Sequence, residues 1–256
     1  RRRHTRYISV TGVQTCALPI LSGYDFYDLN NYLQLEGLVY KFVPIKGGAS
    51  SRQPLRVADY KLYNNLVKKY KYYGMKEKKN FYLDDKAAYV PGDMQQMSML
   101  LARTYLSKIK TYEQYKTQIA KVGMADAPTP AGFRSVEEYM QREGDSLKVY
   151  RERAIEVLRH CLTEIPESVM PMRKEYKADY GMTLLELGDF EMAKKVLDGA
   201  IKDCNQYGTY FAKWEDEMFG AREVQMSREL IKNIVGECER LGKKDWAEGY
   251  KKQTEA

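Results

Sequence analysis

Carboxylates, imidazoles, thiols and amines are the groups that could do chemistry, and in this sequence they are scattered. Asp25 with Asp28, Asp84 with Asp85, and the run Glu215, Asp216 and Glu217 are the groupings that glycosyl transfer or divalent-cation binding would use. None stands in a ligand pattern, and acids so placed ordinarily serve turns and caps. The sequence has two histidines, His4 and His160. His160 sits beside Cys161 on a helical stretch, with no Asp, Ser or Cys partner at a diagnostic spacing, so no histidine-based triad can be assembled. Cys161, Cys204 and Cys238 lie on apolar helical stripes without a CxxC pair and read as small, unpaired core residues. No glycine-rich phosphate loop and no GxSxG elbow occurs. The expectation is therefore no catalytic residue, no cofactor and no metal site in this chain.

The segment KKYKYYGMKEKK, residues 68–79, remains. Lys68, Lys69, Lys71, Lys76, Lys78 and Lys79 alternate with tyrosines, which fits nucleic acid or an anionic lipid surface. It equally fits a solvated helix face whose Tyr63 and Tyr70 turn to the core, and that reading is preferred. Nucleic acid is not an expected partner.

These residues need a scaffold, and composition says which kind. The chain has 256 residues, 30% of them charged and 44% apolar, with 22 Tyr and 12 Met; its mean hydropathy is -0.61. A chain of this length buries about 70 to 75% of its unfolded surface and needs no staples. The composition excludes both a disordered chain and one that is mostly membrane-embedded.

The formal charge of +7 is misleading. Residues 1–20, RRRHTRYISVTGVQTCALPI, have a basic start, but Gln14, Thr15 and Pro19 interrupt the apolar run and no small-x-small cleavage site follows. RRRHTR and VTGVQTCALPI instead resemble the conceptual translation of a sequencing adapter, with Tyr7, Ile8 and Ser9 as its barcode. Setting aside Arg1, Arg2, Arg3 and Arg6 leaves 38 basic against 35 acidic residues, a balance of +3. This resemblance implies that the biological chain enters near Leu21 and that its native N-terminus lies upstream.

Periodicity predicts the elements. Asn30 or Asn31 caps a short helix that Gly37 ends, and residues 38–43 form a strand closed by Pro44. Asp59 caps a helix running to Tyr73, with Tyr63, Leu66, Val67 and Tyr70 on one face and Gly74 as the stop. Residues 80–83 form a short strand. Asp93 caps a helix carrying Met94, Met97, Leu101 and Tyr105, residues 123–134 form a hinge, and Ser135 with Glu138 opens the next helix as a capping box. Ala154, Leu158, Cys161, Leu162 and Ile165 make one stripe, ended by Pro166. Tyr176, Tyr180, Leu184 and Leu187 make a second, and Phe190, Ala193, Leu197, Ala200 and Cys204 a third. Gly188-Asp189 breaks the last two into an antiparallel pair. Leu230, Ile234, Cys238 and Leu241 mark a further long helix.

The stretch LLELGDFEMAKKVLDGAI resembles a tetratricopeptide-type helical hairpin, with Gly188, Ala193, Leu197 and Ala200 at its small and large positions. Ala154, Leu158, Cys161 and Pro166 fit an earlier unit, and LGKKDWAEGY, residues 241–250, is a weaker echo. The expected fold is mainly α, with tetratricopeptide-like helical hairpins and a small β element near the N-terminus. The chain divides into residues 1–20, a mixed α/β segment 21–92 and a helical region 93–256.

Four segments in order, NYLQLEGLVYKFVPIK, LYNNLVKKYKYYGM, FYLDD and AIEVLRHCLTEIP, resemble the C-terminal region of a bacterial family of multi-pass membrane proteins of the protein O-mannosyltransferase-like, glycosyltransferase type. A segment of about residues 108–147 has no counterpart there. The resemblance implies a parent using a polyprenyl-phosphate sugar, with its catalytic residues in a membrane domain upstream. This chain would be its soluble tail on the extracytoplasmic face. It would pack on the membrane domain and guide an acceptor protein or meet an anionic lipid surface. Tyr32, Gln34, Leu35, Glu36, Gly37, Tyr40 and Pro44 form the candidate docking motif. The alternative is a free-standing helical-repeat scaffold that binds protein and catalyses nothing.

Overall fold

The computed structural model describes residues 32–38, 40–43, 56–72, 74–77, 88–124, 126–214 and 217–255. The chain forms two units that part between Tyr70 and Lys71.

In the first unit, β1 (Leu33–Leu35) pairs antiparallel with β2 (Tyr40–Phe42), and β3 (Arg56–Val57) adds to the other side of β1 in parallel. The order is β2-β1-β3. Leu33 faces Phe42 and Leu35 faces Tyr40, so the YLQLEG text is a hairpin arm rather than the helix its asparagines suggest. The reason is the pairing itself: the β-rich partner at residues 40–42 supplies backbone hydrogen bonds on one side and β3 on the other, which outweigh a local cap. The strand expected over residues 38–43 is present in its centre, at β2.

α1 (Asp59–Tyr63) follows and widens into a π-helical turn over Asn64–Lys69. Asp59 lies inside the first turn rather than at the cap; Ala58 occupies that position and makes no side-chain cap. The helix ends at Lys69, four residues before its expected end at Tyr73, and at Tyr70 the backbone becomes extended at φ -71° and ψ 138°. Tyr70 is drawn away by the hairpin. Its hydroxyl accepts from the Leu38 amide at 3.1 Å, and a Cβ on Gly37 would stand only 2.1 Å from the same oxygen. Asn65 Nδ2 donates to the Glu36 carbonyl at 2.6 Å. Gly37 is thus demanded by a close approach.

The second unit opens with a short 3-10 turn at Met75–Glu77. Six helices follow: α2 (Tyr89–Val122), α3 (Val136–Glu164), α4 (Lys174–Leu187), α5 (Phe190–Phe211), α6 (Glu217–Arg240) and α7 (Lys244–Glu255). α2 starts four residues before Asp93, which lies inside its second turn and does not cap it. Pro91 explains the earlier start, since proline is accommodated in a first turn whose amides are unpaired anyway. Ser135 does cap α3, accepting from the Glu138 amide at 3.1 Å, while the Glu138 carboxylate reaches back to the Arg134 amide at 2.9 Å.

Consecutive helices form antiparallel hairpins. Tyr105 stacks with Tyr150 and Tyr112 packs near Tyr139 between α2 and α3. In the second hairpin Gly181 meets Leu197. Gly188 ends α4 in the left-handed region at φ 90°, and the Asp189 amide returns to the Leu184 carbonyl at 3.0 Å, a Schellman-type closure. Asp189 then caps α5 through the Met192 amide. Gly242, at φ 75°, makes the corresponding break before α7. The core follows the predicted stripes through Ala154, Leu158, Cys161, Tyr180, Leu184, Leu187, Ala193, Leu197, Ala200, Cys204, Ile234 and Cys238. Tyr176 and Phe190 depart from them and are exposed; Phe190 lies beneath the Lys243 ammonium at 3.4 Å.

The fold is therefore mainly helical, with a small sheet near the N-terminus. Among the described residues no helix is long and apolar enough to cross a membrane.

Candidate functional site

The residues singled out as a docking motif are used within the first unit. Leu35 is fully buried. Gln34 Nε2 donates to Glu36 Oε1 at 2.7 Å, and Lys61 Nζ donates to the same oxygen at 3.0 Å. The Lys61 hydrogen bond holds the Glu36 carboxyl below its ordinary range, with Lys41 adding to the effect. Tyr32 stacks on Phe42, which is exposed. Tyr40 opens β2. Pro44 lies outside the described residues.

Of the described lysines among the six, Lys68 and Lys69 lie in the helix, which stops at Lys69, and Lys71 and Lys76 follow it. Lys68 leans over the Tyr63 ring, and Lys76 donates to Glu164 on α3 at 2.6 Å, which raises its pKa. Lys69 and Lys71 are exposed. Lys78 and Lys79 lie outside the described residues, as do Asp25, Asp28, Asp84, Asp85, Glu215 and Asp216, the side chain of Glu217, and the strand expected at residues 80–83.

His160 packs edge-on against Tyr72, and its Nε2 meets no partner among the described residues. Cys161, Cys204 and Cys238 are buried and unpaired. Burial pushes the Cys204 and Cys238 thiols up to about 11 and also raises Cys161, so all three stay protonated and unreactive at neutral pH. Lys174 and Lys177 are nearly buried, a setting in which a lysine can become a nucleophile if its pKa falls. Here burial pushes down, but Glu223 and Glu175 around Lys174, and Asp203 and Glu167 around Lys177, outweigh it and raise both. They brace α4 against its neighbours as permanent cations. Among the described residues no group of three His, Cys, Asp or Glu side chains is placed to hold a metal ion.

What the second unit does assemble is a charged groove, which single-residue motifs did not reveal. The first helices of the three hairpins, α2, α4 and α6, are joined by ion pairs. Arg103 bonds Asp179 at 3.0 Å, Lys110 bonds Glu186 at 2.7 Å, and Arg240 bonds Glu186 at 3.0 Å. Arg240 also chelates Glu237, through Nε at 2.9 Å and through Nη2. Glu186 is the hub, shared by a lysine and an arginine from different hairpins, with its side chain only 16% exposed. The Arg240 guanidinium holds the Glu237 carboxyl below its usual range, while Glu237 and Glu186 keep Arg240 charged. Two adjoining hollows of about 650 and 450 Å³ run along this network and share Lys110 and Glu186. Glu113, Gln114, Thr117, Gln118 and Lys121 line the first; Leu106, Ser107 and Met182 help line the second. The surface is polar, of mixed charge and braced from below. It can hydrogen-bond an extended chain.

A sequence signal for this site existed in retrospect: Lys110, Glu186, Glu237 and Arg240 sit beside the apolar stripes. Which helices stand side by side is a matter of stacking order, which no local pattern carries. No protein-family model, curated protein or solved structure matches the chain.

Proposed function

We propose that the helical region is a non-catalytic protein-docking scaffold, carried as the extracytoplasmic tail of a multi-pass membrane protein of the glycosyltransferase-like, O-mannosylation type. The tail packs on that membrane domain or guides the acceptor protein. The observation that carries the scaffold reading is the groove over α2, α4 and α6, whose charges are locked by cross-hairpin ion pairs and so present a fixed pattern to a polypeptide. The tetratricopeptide-like spacing of Gly188, Ala193, Leu197 and Ala200 supports the same reading, and the four sequence segments that resemble the transferase tails support the membrane attachment.

The second reading, a free-standing helical-repeat scaffold, is favoured by the groove lying wholly within the second unit. Assembly of the genomic locus separates the two. Several in-frame apolar segments of about 20 residues upstream of Leu21 are expected under the first reading. A start codon close to Leu21 without them refutes it and leaves the second. Exchanging the partly exposed pair away from the Glu186 hub, Arg103→Asp with Asp179→Arg, keeps the pair but reverses its pattern. In the complete chain this exchange should abolish acceptor modification or docking while leaving thermal stability within about 1 kcal/mol, the range of partly exposed pairs. Unchanged docking sinks the groove.

A further inference from the structure

The groove over α2, α4 and α6 has a length and a charge balance that define what it can hold. Along α2 one stripe lines it, through Arg103, Ser107, Lys110, Gln114, Gln118 and Lys121. The steps are three or four residues, so the stripe keeps to one side of the helix. From Arg103 to Lys121 it runs about 27 Å, the length of about eight residues of extended chain.

The charges of the groove are spent on one another. Arg103 pairs with Asp179, Lys110 and Arg240 share Glu186, and Arg240 also holds Glu237. Glu113 and Lys121 add one charge of each sign, so the lining sets four cations against four carboxylates. It exerts no net pull on a nucleic acid, an anionic headgroup or a strongly charged peptide. What it leaves free is neutral. Thr117 donates its hydroxyl to the Glu113 carbonyl at 2.9 Å, but Gln114 and Gln118 are exposed and neither side-chain amide has a partner among the described residues. Each amide can accept from a backbone N–H and donate to a backbone C=O. The two stand four residues apart, about 6 Å along the helix axis. Residues i and i+2 on one face of an extended chain are about 6.7 Å apart, so the spacing fits alternate peptide groups.

We propose that this groove takes an extended polypeptide segment of about eight residues without net charge and recognises its backbone, with Gln114 and Gln118 bonded to alternate peptide groups and the locked ion pairs orienting the segment's peptide dipoles. Small side chains suit the positions over the two amides, because a bulky one would hold the backbone away. This specificity rests on the docking reading of the same groove and names the segment it docks.

The test titrates the full chain, followed by NMR, with a terminally blocked peptide of about eight alternating threonines and serines. Parallel titrations use the same peptide with two threonines replaced by lysine, with two replaced by glutamate, and with two alternate backbone amides N-methylated. The neutral peptide is expected to bind best, to lose binding on N-methylation, and to change less than about twofold between low and high salt, because no net charge is matched. Gln114→Ala and Gln118→Ala should each weaken it about tenfold, the scale of two neutral hydrogen bonds. Both positions are exposed and alanine favours a helix, so the variants keep the fold. Gln141→Ala, on an exposed position of α3 that does not line the groove, should change nothing. Preference for the lysine or the glutamate peptide, or neutral-peptide binding indifferent to Gln114, Gln118 and N-methylation, overturns the backbone readout while leaving the groove a docking site. Failure of all the peptides overturns it together with the docking reading. Salt-dependent binding of an oligothymidylate instead would assign the groove to nucleic acid, and self-association lost with Gln118→Ala would assign it to a second copy; either result overturns the proposal.

Discussion

Asp189 does two jobs at one point, and removing them separately tests how the hairpins are held together. Its carboxylate caps α5 by accepting from the Met192 amide, and it receives two hydrogen bonds from Arg159 on α3, the Nη2 one at 2.7 Å. The cap contributes about 1 kcal/mol. The ion pair is bidentate and lopsided, with the Asp189 side chain 3% exposed and Arg159 49% exposed. Its contribution therefore lies between a surface pair and a buried one, about 1.5 kcal/mol. Asp189→Asn keeps an acceptor for the cap and should cost about 1.5 kcal/mol from the lost charge. Asp189→Ala should cost about 2.5 kcal/mol by adding the cap, and lower the melting temperature by about 5 to 10 °C for a unit of this size. The pH dependence follows in sign. Arg159 holds the folded Asp189 carboxyl below its ordinary value of 3.8, so the pair's stabilisation is complete at neutral pH and lost as pH falls through the depressed value. The gap between parent and Asp189→Asn, measured by urea unfolding, should be full at pH 7 and shrink progressively once the pH drops below about 4. A gap unchanged at pH 3, or an Asn variant as stable as the parent at pH 7, would refute this account of the hairpin junction.

Two further perturbations probe the core. At Gly181 a Cβ would stand 2.6 Å from Leu197 Cγ and Cδ2 and 3.3 Å from the Leu197 amide nitrogen, so Gly181→Val should destabilise by about 2 to 3 kcal/mol through overpacking; a neutral result in chemical denaturation would mean that α4 and α5 are not this close. With Cys16→Ser in place, the thiols of Cys161, Cys204 and Cys238, raised by burial, should resist alkylation at pH 8 in the native chain and all react in denaturant. Stoichiometric labelling of the native chain would contradict their place in the core.

The helical region was legible in the sequence because its determinants are local. Apolar stripes at a period of 3.6, Ser135 with Glu138, and Gly188 with Asp189 each specify a helix or an end without reference to anything distant. The first unit was legible only in part for the opposite reason. Leu33–Leu35 becomes a strand because residues 40–42 and 56–57 lie on either side of it, and α1 ends early because Tyr70 is recruited by Gly37 and Leu38. Capping cues at Asp59 and Asp93 were not used, since each lies inside its helix, the second behind a start set by Pro91. The groove was hidden for the same kind of reason, since its ion pairs join residues 54 to 76 positions apart.

The stretch at residues 108–147 has a simple structural form. It begins and ends near the level at which Tyr105 stacks on Tyr150, so it is the outer half of α2 together with the tip and first turns of α3. Antiparallel partners can be lengthened this way without disturbing the stack below, because each added turn on one helix meets an added turn on the other. The cost is support. α2 has 34 residues and α4 has 14, about 51 Å against 21 Å of helix, so the outer part of the first hairpin outruns its neighbour. That part accordingly carries its own small core. Tyr112, Tyr115, Phe133 and Tyr139 pack together, Tyr115 donates to the Pro128 carbonyl at 2.7 Å, and Tyr112 donates to the Met140 carbonyl at 3.2 Å. Gly144 leaves room for the Tyr112 ring, where a Cβ would stand 2.9 Å from its hydroxyl. Part of the chain's tyrosine richness is therefore the packing of this long hairpin. The groove draws on the same outer part, since Glu113, Gln114, Thr117, Gln118 and Lys121 all lie on it.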